Sequence, residues 1–264
     1  MMKAQLVPGG VGHFTAGHLA VEIHGSRREM GRAAGKAAAG HLRQLLAQQP
    51  GVRVIFACAP SQDEFIATLT AEPGIAWPRV TAFHMDEYVG LPARHPASFR
   101  NYLRRHLPAT ARPGIMHELA GDAPDASTEC ARYGELLAAA PIDAAFLGIG
   151  ENGHLAFNDP PVADFCDPAR VKIVELDPAC RAQQVNDGCF STLADVPHRA
   201  LTLTLPTLLG AHRIFCMVPG PRKAAAVAAA LGGPVATACP ASILRTHPAA
   251  TLYLDRDSAS SLPP

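Results

Sequence analysis

An excess of charge of either sign is missing from this chain: Lys+Arg and Asp+Glu stand at 23 each, so nothing argues for a polyanionic lattice such as nucleic acid as partner. A small phosphorylated ligand stays open, because it needs only a local basic pocket. Closely paired cysteines are missing too. The seven thiols, Cys58, Cys130, Cys166, Cys180, Cys189, Cys216 and Cys239, include no close CxxC pair and mostly have apolar neighbours, the pattern of reduced core thiols rather than of a disulfide scaffold or zinc site. No run approaches the roughly 20 apolar residues that cross a bilayer. The opening MMKAQLVPGGVGHFTAGHLAVEI has too little continuous apolar sequence for a signal peptide. No membrane partner is expected, and the expected location is the cytoplasm. A Walker loop and an HExxH-like ligand spacing are also lacking, and the glycines of 148–153 are not read as a dinucleotide site, so neither a nucleotide cofactor nor a metal is expected.

What is present is a repeating strand-then-helix plan. With 48% apolar residues in 264, the chain can bury one substantial core, and a single domain over 1–264 is the expectation. Ser26 with Glu29 three positions on has capping-box spacing, opening a helix to about Gln49. VRVIFACA (52–59) is a continuous apolar run, as expected of a strand buried on both faces, and PSQDEFIATLTA (60–71) starts a helix at its end. RVTAFHMDEYVGL (79–91) and AAFLGIG (144–150) repeat the plan, each strand running into a polar cluster. PASFRNYLRRHL (96–107) and RKAAAVAAAL (222–231) read as helices; VKIVEL (171–176), ALTLTL (200–205), RIFCMVPG (213–220) and TLYLD (251–255) read as further strands; the proline-rich stretches 108–113 and 159–168 read as loops. The alternation predicts a three-layer α/β/α fold with a mostly parallel, Rossmann-like sheet, whose chemistry belongs at the C-terminal strand ends.

Two polar clusters fall there. In His84-Met85-Asp86-Glu87-Tyr88, alternation would point the adjacent carboxylates in different directions, one to a pocket and the other to the loop or a subunit contact. A solvated turn fits the pentapeptide alone equally well. In the second cluster Gly148, Gly150 and Gly153 permit tight turns and close approach to a ligand, with His154 set between Asn152 and Asp159. An imidazole so placed suits proton shuttling near neutral pH, although it also fits a plain hydrogen-bond network. His84, Asp86 and His154 together are the one conceivable metal set, without supporting spacing. A phosphate would find donors at Ser61 and Gln62, at Arg222 and Lys223, or, as a weaker choice, at Arg245 and His247.

FHMDEYVGL followed by HPASF, then LGIGENGHLAFNDP, then GPRKAAA resemble in order and spacing the signature segments of the glucosamine-6-phosphate deaminase/isomerase family, which shares a larger group with 6-phosphogluconolactonases and ribose-5-phosphate isomerases. The likeness runs from the first helix to SILRTHP (242–248). It implies conversion of D-glucosamine 6-phosphate and water to D-fructose 6-phosphate and ammonium, without a cofactor. His154 would exchange a proton with the ring oxygen, and Asp86 would carry the proton from C2 to C1. Asn152 and Asp159 would complete the catalytic set, and Ser61, Gln62, Glu87, Gly153, Arg222 and Lys223 would bind substrate and phosphate.

Three departures stand out. Asn152 and Asp159 occupy positions where the family commonly has aspartate and glutamate, which lowers the expected basicity of His154 unless a water or Glu151 compensates. The first phosphate turn reads Ala57-Cys58-Ala59-Pro60-Ser61-Gln62 instead of a Gly-Gly-Thr/Ser type. No arginine precedes VPHRALT at the usual place, with Arg181 upstream as a stand-in. Competing expectations are a galactosamine 6-phosphate substrate, a plain sugar-phosphate isomerase, a lactonase-like hydrolase that activates water with His154, and a phosphosugar sensor without turnover. A monomer or small homo-oligomer is expected.

Overall fold

The computed structural model describes residues 5–7 and 11–263. Along the chain run β1 (Gln5–Val7), β2 (Val11–Ala16), β3 (Leu19–His24), α1 (Arg27–Gln48), β4 (Val52–Phe56), α2 (Asp63–Ala71), β5 (Val80–His84) and β6 (Asp86–Tyr88). Then come α3 (Phe99–His106), β7 (Ile115–His117), α4 (Ala126–Ala138), β8 (Ala144–Leu147), β9 (Val171–Glu175) and α5 (Pro178–Asn186). The chain closes with β10 (Arg199–Leu203), α6 (Leu205–Leu209), β11 (Arg213–Val218), α7 (Ala224–Gly232) and β12 (Ala250–Asp255).

The main sheet has the order β1-β2-β3-β12-β11-β8-β4-β5-β7, parallel from β3 to β7 and antiparallel at β1-β2-β3. Alternate residues of each central strand feed opposite faces. Val54, Phe56, Phe146, Phe215 and Met217 face α1 and α2, whereas Ile55, Ala145, Leu147, Ile214 and Cys216 face α4, α6 and α7. The three-layer α/β/α expectation therefore holds.

Ser26 accepts from the Glu29 amide at 3.2 Å and starts α1 as its spacing predicts. α1 and α2 lie against each other with almost no gap: a Cβ on Gly31 would sit 2.5 Å from Glu64 Cβ, and one on Gly35 2.6 Å from Thr68 Cβ. Only glycine permits that approach, and it seats α2, with the turn that precedes it, against the sheet.

Two of the expected strands go elsewhere. β10 pairs with β6 on one side and β9 on the other, in a separate antiparallel sheet of order β6-β10-β9. A short apolar run does not say which sheet it joins. Here α5 intervenes between β9 and β10, and the antiparallel pairing sets Thr202 opposite Asp86. β4 also ends at Phe56, short of the expected Ala59, and a 3-10 turn at Pro60–Gln62 precedes α2.

The chain leaves β4 for β5 and β7 on one side, then returns to place β8 on the other side of β4. Such a switch point opens a crevice at the carboxyl ends of the strands.

Candidate active site

The crevice holds a cavity open to solvent, with walls that come from the carboxyl ends of β4, β5, β8 and β11 and from α5. Ser61, Gln62, Asp86, Gly148, His154 and Lys223 all line it, so segments far apart in sequence meet at one place.

His154 is 7% exposed, and its Nδ1 lies 2.7 Å from Asn152 Oδ1 and 2.9 Å from Asp159 Oδ1. Both neighbours are acceptors, because Asn152 Nδ2 donates to Asp159 at 2.9 Å, which fixes the amide's orientation. Nδ1 therefore carries the proton and donates, leaving Nε2 of the neutral ring as a base. The missing aspartate is thus made good by Asn152 itself. Glu151 does not compensate, because it is engaged by Arg222 at 2.9 Å. Burial pushes the Asp159 carboxyl up, but donors from His154, Asn152 and the Asp177 amide outweigh it and hold the group below the usual carboxylate value. Cys180 completes this cluster, with ligand atoms of His154, Asp159 and Cys180 within 4.8 Å of one another. Burial, then the charge of Asp159, pushes the Cys180 thiol well above its ordinary value.

The glycines explain how the ring fits. A Cβ on Gly150 would lie 2.1 Å from His154 Cε1, so the imidazole rests directly on that backbone. Gly148, Gly150 and Gly153 do stand at the GxGxxG spacing of dinucleotide sites, but no helix opens after them, and residues 151–163 form turns around a single bridge between Leu155 and Asn158. Gly153 does not line the cavity. It is left-handed (φ 85), with a Cβ position 2.8 Å from Cys239 Sγ, and shapes the loop from behind. Ala156 lines the cavity with φ 52, a strained position for a residue with a side chain.

β6 separates the two acidic neighbours as alternation predicts. Asp86 (7% exposed) faces the cavity, and burial, followed by the charge of Glu87, pushes its carboxyl well above the ordinary value. Glu87 faces away and is fully buried. It accepts from Ser98 Oγ at 2.7 Å, from the Arg100 amide at 3.1 Å and from Arg100 Nε at 3.2 Å, tying down the first turn of α3. The expected substrate role for Glu87 is therefore corrected to a structural one. His84 is buried with both nitrogens used. Nδ1 donates to the Asp86 carbonyl at 2.8 Å, and Nε2 accepts from the Leu119 amide at 2.8 Å, so it offers no lone pair to a metal shared with Asp86 and His154. Burial lowers its pKa to about 4.

Among the basic candidates, only Lys223 enters the cavity. It is 7% exposed, its ammonium has no hydrogen-bond or ion-pair partner among the described residues, and burial lowers its pKa. Ser61 and Gln62 stand beside it on the wall. Gln62 donates to Ser61 Oγ at 3.1 Å and leaves its own Oε1 buried without a partner. Arg222 is turned outward, its Nε on Glu151 at 2.9 Å and Nη2 on Asp187 at 2.6 Å. Arg181 donates to the carbonyls of Leu193 and Val196, and Arg245 to those of Ser242, Leu231 and Gly233. His247 is held by Ala211 and Ala249. These four brace loops and stay outside the cavity.

Gln183 and Gln184 line the cavity and were not expected from the sequence. Asp177 with Pro178 at the first helical position was a legible start signal for their helix, since the Asp177 side chain accepts from the Ala179 amide at 2.8 Å.

Residues 25–253 match the family of glucosamine-6-phosphate isomerases and 6-phosphogluconolactonases. A glucosamine-6-phosphate deaminase of Pseudarthrobacter chlorophenolicus is 36% identical over 237 residues, 88% of this chain and 89% of its own. A solved monomeric glucosamine-6-phosphate deaminase superposes with a TM-score of 0.83 at 28% identity, covering 91% of this chain and 99% of its own. The 6-phosphogluconolactonase of Shewanella baltica shares the fold, with a TM-score of 0.75, 16% identity, and coverage of 91% and 99% of the two chains.

Proposed function

The chain belongs to the family of glucosamine-6-phosphate isomerases and 6-phosphogluconolactonases, and from that premise we propose that it converts D-glucosamine 6-phosphate and water to D-fructose 6-phosphate and ammonium. The observation that carries this reading is one cavity holding two proton carriers of different kind. His154 presents a free Nε2, and Asp86 is a buried carboxylate.

The two suit different atoms of one sugar. Nε2 of His154, with Nδ1–H braced by Asn152 and Asp159, takes and returns a proton at an oxygen as the ring opens. The Asp86 carboxylate takes the proton from C2 of the open chain and returns it at C1. Its desolvation makes it a stronger base than a carboxylate in water. The aldehyde at C1 and the amine at C2 provide the electronic path, so the sequence of steps needs no cofactor. Return of the proton to C1 leaves an imine at C2; water adds to that carbon, the C–N bond breaks, C2 becomes the ketone, and the nitrogen leaves as ammonium. Lys223, the one unpaired cation in the cavity among the described residues, is the phosphate contact, with Ser61 at the neighbouring turn. Amino-sugar breakdown, in the cytoplasm and by a single domain, is the setting that fits this chemistry, and no described helix is long and apolar enough to cross a membrane.

Ammonium and fructose 6-phosphate are measured after incubation with glucosamine 6-phosphate, with Asp86→Asn as matched control. Equal amounts of both products from the unaltered chain, and a loss of about a thousandfold or more in the variant, are expected. No release of ammonium at high protein concentration sinks the substrate assignment. Hydrolysis of 6-phosphogluconolactone in its place would move the chain to the lactonase side of the family.

A further inference from the structure

α5 lays Gln183 and Gln184 on the cavity wall, each 7% exposed. The amide of Gln183 is spent on the protein: Oε1 accepts from the Glu151 amide at 2.8 Å, and Nε2 donates to Asp187 at 3.3 Å. Gln184 differs. Its Oε1 accepts from the Tyr88 hydroxyl at 2.7 Å, and its Nε2 has no acceptor among the described residues.

The orientation of this amide follows from the hydrogen-bond inventory. Among the described residues Gln184 is the one hydrogen-bond partner of the Tyr88 hydroxyl, and a buried phenol must place its proton somewhere, so Tyr88 donates and the amide oxygen receives. The ring of Tyr88 is fully buried among Phe99, Phe157 and Phe190, with centroids 5.0, 5.4 and 5.3 Å away. It has no room to swing. The NH2 end of Gln184 is thereby turned from Tyr88 and left for the cavity. Tyr88 stands two positions after Asp86 on β6, so their side chains share one face of that strand.

We propose that Gln184 is a substrate-contacting, specificity-determining residue whose Nε2 donates a hydrogen bond to an oxygen of the sugar itself, not of its phosphate, with Tyr88 as the positioning residue that aims it. This rests on the sugar-phosphate reading above. A carboxamide neither gains nor loses a proton near neutral pH, so it holds an oxygen without competing with Asp86 or His154 for protons. It also repels an ammonium, which is donor only, and so orients the sugar with the amine away from α5.

The test measures binding of fructose 6-phosphate and, separately, of inorganic phosphate by calorimetry to the unaltered chain, Gln184→Met, Gln184→Glu and Tyr88→Phe. One neutral hydrogen bond changes an equilibrium by roughly 2- to 12-fold. Gln184→Met is therefore expected to weaken fructose 6-phosphate by about fivefold to tenfold and to leave inorganic phosphate within about twofold. Tyr88→Phe shows a smaller loss of the same selectivity. Gln184→Glu keeps the acceptor for Tyr88 and the shape of the side chain, so it serves if the methionine variant does not fold, and it weakens fructose 6-phosphate more. Equal weakening of both ligands, no weakening of either, or failure of the unaltered chain to bind fructose 6-phosphate overturns the proposal. Absence of ammonium release with fructose 6-phosphate binding intact overturns the substrate assignment instead and leaves the binding ratios to decide the role of Gln184.

Discussion

Asn152 bridges His154 and Asp159, accepting from the imidazole Nδ1 at 2.7 Å and donating to the carboxylate at 2.9 Å. An amide is the residue type that can do both at once, because it carries an acceptor and a donor on one planar group. A carboxylate at this position would face Asp159 with no proton between them.

Asn152→Asp is therefore expected to lower stability. Two carboxylates about 3 Å apart cannot both ionise cheaply, so one has its folded-state pKa raised. A raised carboxyl pKa means stability is lost as pH rises through it. The melting temperature of the variant should fall below that of the unaltered chain at pH 8, with the gap closing toward pH 5. A gap independent of pH would show that the amide's donor role is not what matters.

His84 makes the opposite kind of pH device. Its pKa falls from 6.5 unfolded to about 4 folded, because burial disfavours the cation. Between those values the unfolded chain binds the extra proton, so stability is complete above about pH 6.5 and drains away as pH falls toward 4. The full swing is on the order of 3 kcal/mol. Denaturant titrations at pH 7 and pH 5 should show this loss. His84→Gln, which keeps an acceptor for the Leu119 amide, should start less stable and lose less on acidification.

Phosphate recognition separates two adjacent basic residues. Lys223→Met removes the only unpaired cation of the cavity among the described residues, and should raise KM about thirtyfold or more. Arg222→Ala breaks an exposed pairing with Glu151 and Asp187, and should change KM less than about threefold and stability by under about 1 kcal/mol. Steady-state kinetics on both variants decides between them, and a large KM effect at Arg222 would reverse their roles.

The acid limb of the rate profile reports Asp86. Its carboxyl is pushed well up by burial and by Glu87, and it acts ionised, so kcat/KM should begin to fall above the ordinary carboxylate range as pH decreases. An acid limb confined to that ordinary range would mean that another group limits the reaction.

Gly35→Val tests the helix contact. Its Cβ would meet Thr68 Cβ at 2.6 Å, forcing α1 away from α2. A loss of about 1–3 kcal/mol in chemical unfolding is expected, with little change if the helices part freely.

Much of this was legible beforehand, and the misses share a cause. Ser26, the apolar runs at β4, β5, β8, β11 and β12, and the split of Asp86 from Glu87 all follow from local rules of capping, burial and alternation. α5 and its glutamines carried only a weak start signal. Gly153 and Glu87 looked like ligand contacts because glycine and carboxylate serve a backbone or a network as readily as a substrate. Arg222 and Lys223 are neighbours with equal charge, and nothing in their order says that Glu151 and Asp187 capture one and leave the other inside.

The sequence by itself determined the strand-helix alternation, the parallel core and the residue types able to move protons, because propensity, periodicity and capping act over a few residues. Only the tertiary structure decided that β9 and β10 leave the main sheet, that Asn152 stands in for a carboxylate at His154, and that Tyr88 turns Gln184 toward the cavity. Those outcomes depend on which groups from distant segments meet in a buried space, where every donor must find its acceptor.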